Sequence, residues 1–483
     1  MFIGREYEVK DLIGLWDKRV SSLVTCRGRR RVGKSTLIEE FARVSSDCFM
    51  VIEGLAPREG MSDALQRKNF CNRLDEMTGL KRAVAESWPI AFARLDEAIP
   101  SRGRTVVLLD EISWIGGYDL DFPGYLKTAW DKLWKKHDNL VVVLCGSVSS
   151  WIAENILNST GFVGRNSLDL EVRELPMSEA LQVIGPAVDR LSSMEKFDFL
   201  SVVGGIPRYL EEIRPALTFD ENVRKLCFVK QGLLFREFNE TFSHVFGKQM
   251  DGRRRLLEVL SEGALTGSEL AERLGIEING HLIKALRELE YAGFVSRDAA
   301  LSPLTGNTTR RDRYRVCDNY IRFYLKFIAP NSVAIDQGLF KFGSMEQFGG
   351  WGAVLGLQFQ NLILNHVDKL FPYLGLDRTL VLSAAPYYQP STKRGEGCQI
   401  DLLIQTKRTL YVVEIKRKHE IDASVIDEVV TKVKRLKRRP DFSVRTALVY
   451  CGHLSRQVEA EGYFDKVINA DDLLSERART LPG

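Results

Sequence analysis

The chain has 483 residues and a mass of 54.8 kDa, longer than the roughly 250 to 300 residues at which single hydrophobic cores stop growing, so several domains are expected. Hydrophobic residues make up 45% and charged residues 27%, which excludes a disordered or fibrous chain. The formal charge of +4 is too small to indicate nucleic-acid binding by itself.

The N-terminus carries charges at Arg5, Glu6 and Glu8, where a secretion signal needs an apolar stretch. The longest apolar runs, such as 106–109 and 140–145, are far shorter than the roughly 18 residues of a membrane-spanning helix. The eight cysteines are scattered singly, without a CxxC pair or a histidine at metal spacing. These features predict a cytoplasmic protein without a membrane segment.

A phosphate-binding motif follows the first apolar run, 22–26. It matches GxxxxGK[ST] and leads through Thr36 into a helical stretch, and its residues are Gly28, Arg29, Arg30, Arg31, Val32, Gly33, Lys34 and Ser35. In such a loop the backbone amides surround phosphate oxygens, while Lys34 supplies a charge for the β and γ phosphates and Ser35 a hydroxyl for Mg²⁺. The motif predicts an ATP and Mg²⁺ site; the alternative is a chance match in a loop rich in Gly and Arg.

Two further buried strands end in polar residues. The run 105–109 delivers Asp110 and Glu111 at its carboxyl end, where ligands bind in open parallel sheets. We expect Asp110 to hold Mg²⁺ and Glu111 to orient the attacking water, with a helix cap as the weaker alternative. The run 140–145 places Ser147 beside them, where it would sense the γ-phosphate or the water, or serve as a turn residue.

Several motifs together resemble the archaeal-type P-loop ATPase family, near the AAA+ and STAND NTPases. They are FIGRE at 2–6, the phosphate loop, LLDEISWI at 108–115, LCGS at 144–147, Gly164-Arg165, and GGIPRYL at 204–210. The resemblance implies that Gly4, Arg5 and Pro207 lie near the adenine. It also implies that Arg165 faces the γ-phosphate, in cis or from another subunit of a homo-oligomer, where an arginine can contribute about 10³ to 10⁵ in rate. A solvated surface arginine is the alternative.

The fold class expected from the motifs and the resemblance is α/β. It comprises a P-loop NTPase parallel sheet with a helical lid, a winged-helix domain and a C-terminal α/β domain similar to restriction endonucleases of the PD-(D/E)xK type. The predicted boundaries are 1–175 for the ATPase core, 176–248 for the lid, 249–330 for the winged helix, 331–475 for the nuclease-like domain and 476–483 for a tail.

The predicted winged helix begins with an amphipathic stretch, 253–260. Thr266 and Glu269 then form a capping box, and a second helix follows at about 279–292. Two short strands around a basic turn at 308–316 complete the pattern.

If this domain contacts DNA, the second helix would enter the major groove and the basic turn would contact phosphates. The residues concerned are His281, Lys284 and Arg287 on the helix, and Arg310, Arg311 and Arg313 in the turn. The alternative is packing against the lid or a partner.

After a predicted linker at 330–340 and a helix at about 351–370, two strands at 399–404 and 410–416 carry the D…ExK pattern of PD-(D/E)xK nucleases. Its residues are Asp401, Glu414 and Lys416. Because strand residues alternate, Glu414 and Lys416 share a face.

In the nucleases that this pattern resembles, the two carboxylates hold Mg²⁺ and the lysine helps to activate water. Alternating charge on a half-exposed strand is the other explanation. The first helix has Gln360 where the family usually has Glu, which places metal binding and cleavage in question. A basic run at 432–439 suits a phosphate backbone, although a solvated helix face would also explain it.

Two functions are consistent with these patterns. The first is a Mg²⁺-dependent ATPase that binds DNA and couples its nucleotide state to an active nuclease-like domain. The second is a STAND-type regulatory switch in which that domain serves only for binding. Both require the ATP site.

Overall fold

The computed structural model of the protein describes residues 2–147, 149–308, 312–391 and 396–475. The chain divides after Leu175 into two units, and the short segment Tyr291–Gly293 groups with the first. Among the described residues, no helix has the length and apolar character needed to cross a membrane.

The first unit is built on a five-stranded, fully parallel sheet. Its strands are β1 (Ser22–Arg27), β2 (Cys48–Glu53), β3 (Thr105–Asp110), β4 (Leu140–Gly146) and β5 (Asn166–Glu171), in the order β2-β3-β4-β1-β5. The three central strands are the predicted apolar runs, which are buried on both faces. The two edge strands were not predicted: β5 has a more polar sequence, and β2 alternates in burial although residues 48–52 are apolar.

The first unit also contains helices that accompany the strands of this sheet. They are α1 (Glu6–Ile13), α2 (Lys34–Ser45), α3 (Asp63–Thr78), α4 (Trp88–Ala98), α5 (Ile112–Gly116), α6 (Phe122–Lys132) and α7 (Ser149–Ile152). A cluster of buried aromatic rings, including Trp88, Phe92 and Phe122, joins three of them to the sheet. This rigid core fixes the carboxyl edge of the sheet, where β1, β3 and β4 end.

The second unit begins with helices and a small antiparallel sheet. The helices are α8 (Met177–Ile184), α9 (Ser193–Val203), α10 (Pro207–Leu210), α11 (Phe219–Cys227), α12 (Leu233–Phe246), α13 (Met250–Leu260), α14 (Gly267–Leu274) and α15 (Gly280–Tyr291). The sheet order is β6-β8-β7, with β6 (Leu265–Thr266), β7 (Val295–Asp298) and β8 (Arg313–Val316). The predicted capping box between Thr266 and Glu269 is confirmed.

The remainder of the second unit carries a mixed five-stranded sheet in the order β13-β12-β11-β10-β9. Its elements are α16 (Asn319–Phe323), α17 (Ser332–Asp336), α18 (Trp351–Leu364), α19 (Phe371–Leu374), β9 (Ser383–Gln389), β10 (Cys398–Gln405), β11 (Thr409–Ile421), α20 (Ser424–Arg435), β12 (Ser443–Leu454), α21 (Arg456–Glu461), β13 (Lys466–Asn469) and α22 (Asp471–Leu474). Strands β9, β10 and β11 are antiparallel, whereas β11, β12 and β13 are parallel.

Two predictions about this region were wrong in detail. The predicted linker at 330–340 contains α17, and Phe340 stacks on Phe228 with ring centroids 5.3 Å apart. Aromatic packing therefore holds a segment whose sequence indicated only a connection. The helix expected to continue to residue 370 ends at Leu364, and a 3-10 turn, Val367–Leu370, follows it. The finer division into four domains stays a prediction.

Candidate functional sites

The phosphate loop connects the end of β1 to the start of α2 and depends on two glycines. Gly28 has φ 149° and Gly33 has φ 88°, and a Cβ at Gly28 would lie 2.1 Å from the carbonyl oxygen of Val172. Only glycine tolerates such a close approach of the backbone. The loop therefore passes tightly beside the chain that leaves β5, and α2 begins at Lys34.

Lys34 and Ser35 lie at the first turn of α2. The Lys34 side chain is 7% exposed, and its Nζ donates hydrogen bonds to the carbonyl oxygens of Gly28 and Arg29, each at 3.0 Å. The Ser35 hydroxyl donates to Asp110 Oδ2 at 2.6 Å. The structure thus brings together the lysine, the hydroxyl and the carboxylate that the sequence indicated for phosphate and Mg²⁺.

Glu111 follows Asp110 and is held by Ser147. The Ser147 hydroxyl lies 2.8 Å and 2.9 Å from the two Glu111 carboxylate oxygens, and its backbone N–H donates to Oε2 at 3.2 Å. Glu111 has φ 49° and makes no side-chain cap bond to α5, so the helix-cap alternative finds no support. In this arrangement Ser147 contacts the carboxylate that was predicted to orient water.

Glu53 is a candidate residue of the nucleotide site that was not predicted from the sequence. It ends β2 and pairs in register with Asp110 on β3. Burial raises the pKa of its carboxyl group, and the nearby charges of Asp110 and Glu111 raise it further. The available signal was an apolar run, CFMVI, that ends in an acidic residue as β3 does.

The predicted adenine-side residue Arg5 supports the phosphate loop directly. Its buried guanidinium donates to the carbonyl oxygen of Val32 at 3.1 Å and to that of Arg173, and it pairs with Glu8 at 3.3 Å. Both Gly4 and Arg5 have left-handed backbone angles, φ 68° and 64°. The sharp turn before α1 therefore brings the arginine under the loop.

The remaining loop residues differ in exposure. Arg29 is buried, Arg30 and Arg31 are half-buried, and Thr36 is exposed. Arg31 has φ 70°, a backbone angle that non-glycine residues seldom adopt. Pro207 lies in the second unit, at the first residue of α10.

Arg165 makes a two-pronged ion pair with Asp131 on α6. Its Nε lies 2.8 Å from Oδ1 and its Nη2 lies 3.0 Å from Oδ2. The hydrogen bond from Arg165 lowers the pKa of Asp131 to about 2. Arg165 is thus neither a freely solvated arginine nor engaged with the phosphate loop in this structure, and its role toward phosphate stays a prediction.

The winged-helix residues predicted to contact DNA fall into three groups. His281, Lys284 and Arg287 are exposed on α15, whereas Arg310 and Arg311 lie outside the described residues. Arg313 pairs with Glu269 at 3.1 Å.

Arg313 also donates to the carbonyl oxygen of Ala264 at 2.6 Å and lies 4.3 Å from the ring centre of Tyr388. These contacts hold Arg313 against α14 and against β9 of the mixed sheet. Arg313 is therefore engaged within the chain in this arrangement, and its contact with phosphates stays a prediction.

In the second unit, Asp401, Glu414 and Lys416 line one cavity of about 980 Å³ between α18, α20 and the mixed sheet. Basic side chains from β11 and α20 line it too, namely Arg417, Lys418, Lys432 and Arg435. The cavity brings the D…ExK residues together beside the basic run. Gln360 also reaches it, and its amide donates to Asp401 Oδ1 at 3.4 Å.

Ion pairs dominate the cavity. Lys432 Nζ lies 2.6 Å from Glu414 Oε2, and Lys416 Nζ lies 3.0 Å from Oε1 and 2.5 Å from Glu428. Burial first, and then the charge of Glu414, raise the pKa of Asp401 to about 6. Burial opposes the charge of Lys416, yet Glu428 and Glu414 raise its pKa above the ordinary value. Lys416 is therefore a cation rather than a proton acceptor.

Helix α9 contacts two elements of the cavity wall, β11 and α18. Arg417, next to Lys416 on β11, pairs with Asp198 on α9. Phe197 on the same helix packs edge-on against Phe359 of α18, with ring centroids 5.2 Å apart. A movement of α9 would therefore displace the partner of Arg417, the residue that follows Lys416 on β11.

A buried polar network extends this connection. The Gln358 amide of α18 donates to the carbonyl oxygens of Ser201 at 2.9 Å and Asn319 at 2.6 Å, and its Oε1 accepts from Arg322 at 2.6 Å. Burial lowers the pKa of Arg322 to about 10. Helices α9, α16 and α18 are thereby bonded to one another through polar groups that cannot reach water.

Comparison with known proteins points to the first of these sites. Residues 2–213 match the family model of an ATPase domain found predominantly in Archaea. Over these residues the chain is similar to that ATPase family. The match includes the phosphate loop, Asp110, Glu111 and Arg165, and it continues into the second unit through α9 and α10.

Other similarities extend further along the chain. An uncharacterized protein of Methanocaldococcus jannaschii is 23% identical over 441 residues, which cover 88% of this chain and 89% of the relative. The Walker-type ATPase of Pyrococcus abyssi has a TM-score of 0.49 at 15% identity, covering 68% of this chain and 96% of that structure. The ORC2 protein of Aeropyrum pernix has a TM-score of 0.41 at 12% identity, covering 69% and 95%.

Proposed function

We propose that the chain binds ATP with Mg²⁺ at the phosphate loop and hydrolyses it. The observation that carries this proposal is the contact between the Ser35 hydroxyl and the Asp110 carboxylate at 2.6 Å, directly after Lys34 in the loop. Hydroxyl and carboxylate oxygens are ligands that Mg²⁺ prefers, so these residues fit the ion. When bound, Mg²⁺ would offset the negative charge of the phosphates.

Side chains and backbone amides of the chain itself would bind the phosphates and orient the attacking water. The loop amides and Lys34 bind the phosphates, and Lys34 would exchange its present carbonyl partners for phosphate oxygens. Glu111 accepts a hydrogen bond from the attacking water and so orients it, while Ser147 positions the Glu111 carboxylate. Arg165 would reach the phosphate only after leaving Asp131, from the same chain or from another copy in a homo-oligomer.

The test compares ATP binding and hydrolysis in three variants. Lys34→Ala should abolish ATP binding in calorimetry, and Glu111→Gln should bind ATP but hydrolyse it much more slowly. Lys132→Ala, an exposed lysine on α6, is the matched control and should behave as the wild type. Absence of binding heat in the folded wild-type protein would refute the proposal, and undiminished turnover by Glu111→Gln would remove that residue from its role.

A second candidate function is binding of a nucleic-acid backbone by the cavity of the second unit. The specific observation is the group of basic side chains, Lys416, Lys418, Lys432 and Arg435, that faces one cavity. Lysine and arginine neutralise phosphate charge and dominate the affinity for nucleic acid.

One assay distinguishes cleavage of DNA from binding of DNA without cleavage. Plasmid and single-stranded DNA are incubated with Mg²⁺ or Mn²⁺, with and without ATP, and with an Asp401→Asn protein as the control. Cleavage that Asp401→Asn abolishes would support a nuclease. Binding without cleavage in every condition would support the regulatory switch.

A further inference from the structure

Glu414 lies at the centre of the cavity and is compensated entirely by lysines. Its side chain is 1% exposed, and each carboxylate oxygen faces an ammonium group. Lys432 approaches from α20 with hydrogen-bond geometry, and Lys416 approaches from β11 as an ion pair. A buried carboxylate without such partners would be strongly destabilising, so both lysines are part of the built site.

This arrangement does not fit a divalent cation. Asp401 Oδ2 accepts from the backbone N–H of Ile415 at 3.0 Å, and Gln360 donates to its other oxygen at 3.4 Å. A metal ion would have to displace at least Lys432 from Glu414, because cations at the same carboxylate edge repel each other. No cluster of three or more His, Cys, Asp or Glu side chains suited to a metal occurs in the described part of the chain.

We propose that the cavity binds nucleic-acid phosphates without a divalent cation, and that Lys432 compensates Glu414 in the place a metal ion would take. This inference rests on the nucleic-acid function proposed above and assigns its chemistry. Lys418 and Arg435 line the same cavity, and Arg435 pairs with the exposed Glu396 at 2.6 Å. Both side chains could turn toward phosphate oxygens without breaking the Glu414 pairs. Asp401 and Glu414, with Lys416 and Lys432 beside them, then form the base of an anion-binding site.

The first experiment measures binding of a fluorescently labelled single-stranded oligonucleotide to the full chain by anisotropy. Affinity in EDTA and in Mg²⁺, at matched ionic strength, should agree within about twofold, because counterion release and not coordination determines it. Loss of binding in EDTA would overturn the inference. Absence of binding in both buffers would instead refute the nucleic-acid function on which it rests.

The second experiment counts Mn²⁺ bound to nucleotide-free protein by electron paramagnetic resonance, so it decides the role of Lys432 even if DNA does not bind. Lys432→Met should gain a Mn²⁺ site that the added substitution Asp401→Asn removes. Lys434→Met, an exposed lysine two residues along α20, should gain none.

Should Lys432→Met fold poorly, Lys432→Gln keeps a hydrogen-bond donor near Glu414 and should gain the same Mn²⁺ site. Mn²⁺ bound by the wild type and lost in Asp401→Asn would overturn the inference. A folded Lys432 variant that gains no site would overturn the role assigned to Lys432.

Discussion

Burial of the Asp198 carboxyl group of α9, beside Arg417 of β11, should make the docking of α9 depend on pH. The Asp198 side chain is 21% exposed, and burial raises its pKa from 3.8 to about 6, although Arg417 opposes the shift. A difference of roughly 2 pKa units corresponds to about 3 kcal/mol. Because the folded-state pKa is the higher one, this stability is fully present below about pH 4 and is lost as the pH rises toward 6.

Hydrogen exchange of the α9 amides, corrected for the intrinsic effect of pH on exchange, measures this effect locally. Between about pH 4 and pH 6 the free energy of opening should fall by about 2 kcal/mol more in the wild type than in Asp198→Asn, which cannot ionise. Asp189→Asn, at an exposed residue of the preceding 3-10 turn, should keep the wild-type dependence. An unchanged pH dependence in Asp198→Asn would refute the reasoning.

Three further predictions concern single contacts. Ser147→Ala removes the hydroxyl that positions Glu111. Because hydrogen bonds to charged groups contribute about 1.5 to 3 kcal/mol, kcat should fall at least about tenfold while KM stays nearly unchanged. An unaltered kcat would contradict the positioning role of Ser147. Arg313→Ala should reduce the exchange protection of β8 and leave DNA affinity within about twofold; intact protection with a large loss of affinity would instead indicate a phosphate contact. Gln358→Leu leaves the buried Arg322 guanidinium without one acceptor, so α16 should lose about 3 kcal/mol of protection in hydrogen exchange. Unchanged protection of α16 would show that the network contributes little.

Local chemistry explains what sequence reasoning predicted well. The phosphate loop, the strand before Asp110 and the capping box at Thr266 each occupy a few adjacent residues. Their glycines, apolar runs and caps act on the backbone of the same segment. The edge strand β5 was missed because polar residues alternate with its apolar ones, which removes the continuous apolar signal. The apolar run of β2, residues 48–52, was present in the sequence but was not recognised as a strand.

The ion-pair partners of charged side chains could not be predicted from neighbouring residues in the sequence. Nothing within a few residues of Arg165 or Glu414 specifies Asp131 or Lys432, which the fold brings from 34 and 18 positions away. The same holds for Arg313, whose wing sequence is typical of a phosphate contact although packing holds it on Glu269.

The sequence by itself therefore determined the ATPase domain and where its phosphate loop begins and ends, because backbone conformation follows from neighbouring residues. Only the tertiary structure decided which carboxylates are free and which are neutralised. The ion-pair partners of a long charged side chain depend on which groups lie nearby and how deeply they are buried. Proximity and burial are established only when distant segments pack together.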